Sequence, residues 1–184
     1  MSHGEESKSS TTDFDEIAIG QATSEDVQDL LALVSACINH MRYQDIDQWD
    51  EIYPDRKTVE ANVQSGTAFV AYHRGKIVGM LVLNEHQDPE YTEVPWQFMA
   101  GPVAVVHRLM ICPTLEGRGI ARLLMKYAEE SAERSGYRIM RLDAFMKNPR
   151  ALRLYEKLGY RNAGQVQFRK GCFLCFEKVL VRTG

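Results

Sequence analysis

The residues that most suggest chemistry lie at positions 115–122, LEGRGIAR, where two glycines flank an arginine just before a helical pattern begins. Backbone N–H groups in the first turn of a helix have no intrahelical partner and carry partial positive charge. Glycines beside them let an anion approach closely, so the stretch suits a phosphate or pyrophosphate, with Arg118 adding a charge-assisted contact. Three readings are open. A glycine pair can be only a flexible helix start. Gly117-x-Gly119, with Asp143 placed 24 residues beyond Gly119 near the end of the next strand, has the spacing of a dinucleotide loop. Against that reading, Arg122 stands where a third glycine belongs, and residues 113–116 separate strand from glycines. The third reading is a pyrophosphate loop of another kind. The Lys-Ser/Thr ending of a nucleoside-triphosphate loop is absent.

The elements that must position this loop follow from periodicity. DEIAIGQA reads as a first strand. Thr23 or Ser24 can cap a helix carrying Val27, Leu30, Leu31, Val34, Ile38 and Met41 at helical spacing. Asp55 can cap a second helix through Gln64, stopped by Gly66. TAFVAYHRGKIVGMLVLN predicts a hairpin turning at Arg74-Gly75. Residues 85–101 have no regular period, and an irregular stretch of that length in a compact domain is usually functional or disordered. VAVVHRLMICP predicts a strand. The helix after the loop is expected to bury Ile120, Leu123, Leu124, Tyr127, Ala128 and Ser131. YRIMRLDAF is a strand, Asn148-Pro149 opens a helix with Ala151, Leu154, Tyr155 and Leu158 inward, and QVQFRKGCFLCFEKVLV supplies two last strands. The order β-α-α-β-β-β-α-β-α-β-β predicts a mixed α/β sheet with helices on both faces.

Bulk properties narrow the function. The chain has 184 residues, 45% of them apolar and 26% charged, with a formal net charge of −3, as expected of one globular domain. The charge balance does not favour nucleic acid as a partner. No apolar run reaches the ~20 residues of a membrane span, so no membrane partner is expected. The polar start, MSHGEESKSSTTDFDE, has no apolar signal-peptide centre; a disordered tail over residues 1–12, one domain over 13–184 and a cytoplasmic location are expected. Cys37, Cys112, Cys172 and Cys175 form no disulfide framework, and Cys172-x-x-Cys175 has no second pair at zinc spacing. No metal site is expected.

Two blocks carry a resemblance. HRLMICPTLEGRGIARLLM looks like the central motif of the GNAT-type N-acetyltransferases, Gln/Arg-x-x-Gly-x-Gly/Ala between a splayed strand and a long helix. It matches at Gly119 and Ala121 and departs at Glu116, where Gln or Arg is usual. LDAFMKNPRALRLYEKLGYR resembles the family's later motif, in which a strand, an Asn and a helix end in Tyr-x-x-x-Gly-Tyr/Phe. The element order agrees from about Asp13 onward. The resemblance implies a mostly antiparallel mixed sheet whose two parallel strands splay apart, and acetyl-CoA as cosubstrate. It puts the pantetheine against Leu109, Met110 and Ile111, with a backbone N–H there polarising the thioester carbonyl. It puts the pyrophosphate on Gly117, Arg118, Gly119, Ile120 and Ala121, with Glu116 turned away from the phosphates. Asn148 matches a pantetheine contact, and Tyr155 the tyrosine that protonates the departing thiolate. Family members are often dimers, so a homodimer is possible.

The general base and the acceptor site are read from residue type and place. His107 lies just before the pantetheine segment and has a suitable intrinsic pKa; Glu85 ends a strand that can border the same cleft. Trp49, Tyr53, Tyr91 and Trp96 can form aromatic walls, and Asp45, Asp47, Glu90 and Glu93 can attract a cation. The expected activity is direct transfer of an acetyl group to a primary amine of a small molecule or peptide. The alternatives are a CoA-binding sensor or interaction module without turnover and a dinucleotide-dependent oxidoreductase.

Overall fold

The computed structural model describes residues 17–180; the tail expected over residues 1–12 lies outside them. The described chain forms β1 (Ile17–Gln21), α1 (Val27–Tyr43), α2 (Arg56–Gln64), β2 (Ala68–His73), β3 (Lys76–Asn84), β4 (Val103–Ile111), α3 (Ile120–Arg134), β5 (Ile139–Phe145), α4 (Pro149–Lys157), β6 (Arg161–Phe168) and β7 (Gly171–Val179). This is the order expected from the sequence. Local signals account for several boundaries. Asp55 caps α2, its Oδ1 accepting from the Thr58 N–H at 2.8 Å. Asn148 caps α4 by accepting from the Ala151 N–H at 3.2 Å, with Pro149 at the first helical position. Within residues 85–101 only a short 3₁₀ turn, Pro89–Glu93, is regular.

The strands form one seven-stranded sheet in the order β1-β2-β3-β4-β5-β7-β6. All neighbours are antiparallel except β4 and β5. Alternation along β3 sends Met80 and Val82 to one face, where α1 and α2 pack Leu30, Val34, Val59 and Val63 over them. Leu81 goes to the other face with Ile120, Leu124, Met125 and Ala128 of α3 and Met140 and Leu142 of β5. No helix among the described residues is long and apolar enough to cross a membrane.

The buried arc of α3 differs from the one expected. Ile120, Leu124, Met125, Ala128 and Ala132 are buried, whereas Leu123 is 42% exposed. Successive i, i+4 steps drift by about 40° around a helix of 3.6 residues per turn. The stripe therefore slides toward Met125 and Ala132 and leaves Leu123 outside.

Gly79 sits where β3, β4 and α3 meet. A Cβ there would lie 2.9 Å from Ile111 Cδ1, 3.0 Å from Leu124 Cδ1 and 3.1 Å from the Met110 carbonyl oxygen. Side-chain ends can yield but the carbonyl cannot, so Gly79→Ala is expected to cost about 1–3 kcal/mol in denaturant unfolding.

Candidate active site

The sheet opens at its centre. Parallel pairing of β4 with β5 runs from Val103↔Ile139 to Val106↔Leu142 and stops. Beyond that point β4 stays with β3 as far as Ile111, and β5 stays with β7 as far as Phe145. The strands therefore diverge around a gap. A bulge in β4 sharpens the divergence: Met80 pairs with Met110 and Val82 with His107, so Arg108 and Leu109 together face Leu81. Arg108 takes a left-handed conformation, φ 51°, uncommon for a residue with a side chain. The gap continues into a cleft of about 930 Å³.

One half of the cleft is lined by Leu109, Met110, Ile111, Gly117, Gly119, Ile120, Ala121, Asn148 and Tyr155. Gly119 is the residue before α3, and both it (φ 87°) and Gly117 (φ 77°) are left-handed. Glycine adopts that conformation without strain, which turns the loop so that α3 begins facing the cleft. Arg118 is not in the wall. Arg122, Arg150, Arg153 and Lys157 line the cleft instead. Arg150, Arg153 and Lys157 follow i, i+3, i+7 spacing in NPRALRLYEK, so this basic stripe was readable in the sequence. Glu116 is held by Arg150 and by His40 Nε2 at 3.1 Å. Its charge is thus compensated within the protein, between α1 and α4. A splayed backbone, a glycine turn at a helix start and a basic rim fit a long thioester with a pyrophosphate arm.

Tyr155 is buried against Tyr160 and Phe176, with ring centroids 6.0 and 5.8 Å away. Burial, with the nearby Asp143 carboxylate, raises its pKa, so the phenol keeps its proton at neutral pH. Asn148 uses Oδ1 for the helix cap and Nδ2 for a 3.3 Å bond to Gln48 Oε1.

The other half of the cleft holds Trp49, Tyr53, Asp88, Glu90, His107, Arg108 and Asp143. Asp143 was noted in the sequence only for its spacing from the glycines. It is a carboxylate inside the apolar strand run IMRLDAF, which was the available signal for a site residue. Its Oδ2 accepts from the Tyr91 hydroxyl at 2.8 Å. Burial pushes its carboxyl up to about 6, against a smaller downward pull from the Tyr91 hydrogen bond.

Only some of the other candidates for this half reach the cleft wall. His107 lines the cleft, but its Nε2 pairs with Asn84 Oδ1 at 3.1 Å. Burial, helped by Arg108 and His86, lowers its pKa to about 4, which makes it a weak base at neutral pH. Glu85 is not in the cleft wall; it accepts from the Tyr137 hydroxyl beyond the end of α3. Tyr91 and Trp96 also lie behind the wall. Tyr91 is 2% exposed, Trp96 Nε1 donates to the Tyr91 carbonyl at 2.9 Å, and the Arg141 guanidinium stacks 4.1 Å from the Trp96 ring. These aromatics bury their area as the anchor of residues 85–101. Of the acids expected to attract a cation, Glu90 is in the wall and Asp45, Asp47 and Glu93 are not. Asp47 pairs with Lys170 at 2.8 Å. Among the described residues no group of three or more His, Cys, Asp or Glu side chains is gathered to hold a metal ion.

A central sheet split between two parallel strands, with a glycine turn at the following helix, is shared with solved acetyltransferase structures. The family model for the acetyltransferase (GNAT) family matches residues 30–160, and the chain belongs to that family as an N-acetyltransferase. It is 24% identical over 165 residues to the S-(2-succino)cysteine N-acetyltransferase of Bacillus subtilis, covering 88% of this chain and 94% of that one. It is 26% identical over 144 residues to the S-alkylcysteine N-acetyltransferase of the same organism, covering 76% and 75%. A GNAT-family acetyltransferase structure from Streptococcus agalactiae superposes with a TM-score of 0.82 at 22% identity, covering 92% of this chain and 98% of that one.

Proposed function

We propose that the chain transfers an acetyl group from acetyl-CoA to a primary amine of a small molecule, by direct attack with both substrates bound. The observation that carries this reading is the opening of the sheet past Val106 and Leu142, which exposes the glycine turn, Tyr155 and Asp143 to one cleft. The amino-acid acceptors in the names of the two Bacillus subtilis relatives support a small molecule over a peptide.

The basic rim and the turn at Gly117 and Gly119 hold the pyrophosphate arm of acetyl-CoA, and the β4 edge at Leu109, Met110 and Ile111 holds the pantetheine. Acetyl-CoA supplies the activated acyl carbon. The amine nitrogen forms the new N–C bond while the C–S bond breaks. Asp143, ionised above about pH 6, accepts the amine proton directly or through water. Tyr91 fixes Asp143 through its hydroxyl and, with its own pKa pushed well above 10 by burial, remains a donor. Tyr155 gives its proton to the departing sulfur. The cysteines Cys37 and Cys175 are buried with thiols pushed up to about 12, which disfavours a thiolate nucleophile at either position.

Thiol release from acetyl-CoA across a panel of amines and amino acids tests the reading. Amine-dependent release is expected; acetyl-CoA binding without it would leave a CoA-binding module. Tyr155→Phe is expected to lower kcat about 10²-fold with little change in acetyl-CoA affinity by calorimetry. Unchanged kcat would remove the acid role.

A further inference from the structure

The charges of the acceptor half do not balance residue by residue. Arg169 is bidentate on Asp50 at 2.9 and 3.0 Å, and Lys170 is 2.8 Å from Asp47 and 2.9 Å from Asp50. On the rim of the other half, Arg150 is paired with Glu116. Arg108 differs. Its Nη1 donates to the Tyr53 hydroxyl and its Nη2 to Asn62 Oδ1 at 2.7 Å, both neutral acceptors. Its Nε is buried without a partner, and its guanidinium lies 5.5 Å from the Tyr53 ring centroid. Among the described residues it has no carboxylate partner. It is also the strained residue of the β4 bulge, at φ 51°. A side chain held in a rare backbone conformation beside a cleft, with its charge uncompensated, is poised for an anion from outside the protein.

Two further features constrain that anion. Arg108 and Asp143 are the second and first residues past the last β4–β5 pair, Val106↔Leu142. Both look to the face carrying α2 and the 85–101 segment, where Arg108 meets Asn62 and Asp143 meets Tyr91. Opposite charges therefore line one cleft, whose wall also carries Trp49, Phe168 and Phe173.

Building on the transferase reading above, we infer that the acceptor is an α-amino acid with an apolar side chain, and that Arg108 takes its carboxylate while the amine faces Asp143. Arg108 is a specificity residue: it touches the acceptor away from the reacting nitrogen. An amine without the carboxylate leaves the guanidinium unmatched, so discrimination arises from the loss of a charge-assisted contact.

A matched series tests this: S-ethyl-L-cysteine, its carboxamide, and 2-(ethylthio)ethylamine, each with acetyl-CoA and with thiol release as the readout. The wild type is expected to prefer the amino acid over both neutral-ended analogues by about 10- to 100-fold in kcat/KM. Arg108→Ala should raise KM for the amino acid by a similar factor and affect the analogues far less, collapsing the preference. Arg108→Lys should keep part of it. Equal turnover of all three compounds by the wild type, or the same loss for all three in Arg108→Ala, would overturn the inference while leaving the transferase reading intact. If none of the three, nor any amine of the broader panel, stimulates thiol release, the transferase reading itself fails and the inference with it.

Discussion

Asp143→Asn is expected to remove most of the turnover and to make the protein more stable at the same time. Removal of a general base typically costs 10²- to 10⁴-fold in rate, and kcat should fall within that range. The stability change has the opposite sign. The Asp143 carboxyl is raised from 3.8 to about 6 by burial in the cleft wall. A raised carboxyl favours the folded state only while it is protonated. That contribution is fully present below about pH 4 and is lost as pH rises through about 6, where the carboxylate ionises at a cost. Asparagine carries no such cost and still accepts from the Tyr91 hydroxyl. The gain should be about 2 kcal/mol at pH 8, after allowance for solvent in the cleft, and near zero at pH 4. Denaturant unfolding at the two pH values, together with kcat, checks both halves. A variant that keeps its turnover, or is less stable than the wild type at pH 8, would contradict the role given to Asp143. The acidic limb near pH 6 in the wild-type kcat/KM profile should vanish from the residual activity.

Glu177→Ala is expected to be the most destabilising single truncation outside the apolar core. Glu177 is fully buried and stands opposite Arg141 in the β5–β7 register. Its carboxylate accepts from the backbone N–H groups of Gln97 at 2.9 Å and Phe98 at 3.2 Å, and from Arg161 Nη2 at 3.0 Å. Arg141 completes the anchor, donating to Gln87 Oε1 at 2.7 Å and to the Phe98 carbonyl at 2.9 Å. The irregular 85–101 segment has little ladder of its own, so these two side chains hold it on the sheet. Removing the carboxylate strands two backbone donors and takes the charge partner from half-exposed Arg161, a loss of about 2–4 kcal/mol. Glu177→Gln, which keeps the volume and one acceptor, should lose less and serves if the alanine variant does not fold. Faster hydrogen exchange at Gln97 and Phe98 is the local signature. Because the same segment delivers Tyr91 to Asp143, the glutamine variant should also lose kcat. Unchanged exchange and stability would show that other contacts hold the segment.

The order of strands and helices was legible because each element carries a local signal: β3 is a continuous apolar run after the Arg74-Gly75 turn, and Ile120, Leu124 and Ala128 repeat every fourth residue. Turns and caps were legible for the same local reason, as Asp55, Asn148 and Gly119 illustrate. What depends on distant pairing was not. Nothing local to HRLMI says that β4 leaves β5 after Val106, because the parting requires the bulge at Arg108 and the pairing of β5 with β7. Glu85 and His107 were reasonable bases by residue type. Their environments, the Tyr137 hydroxyl for one and the Asn84 amide and a buried wall for the other, come from residues far away in sequence. Asp143 and Tyr91 are 52 positions apart, so the hydrogen bond that defines the proposed base is a product of the fold. Tyr91 and Trp96 were visible as aromatics of an irregular stretch, but that they face inward depends on distant partners, Asp143 for Tyr91 and Arg141 for Trp96.

The central claim is that one cleft holds the acyl donor and the amine together and passes the acetyl group directly between them. It is tested most directly by initial velocities of thiol release over a matrix of acetyl-CoA and amine concentrations, using the best acceptor of the panel. Double-reciprocal lines that intersect, with thiol release requiring the amine, are predicted. Parallel lines, or a burst of thiol equal to the enzyme concentration before any amine is added, would mean that the protein takes the acetyl group first and would contradict the account.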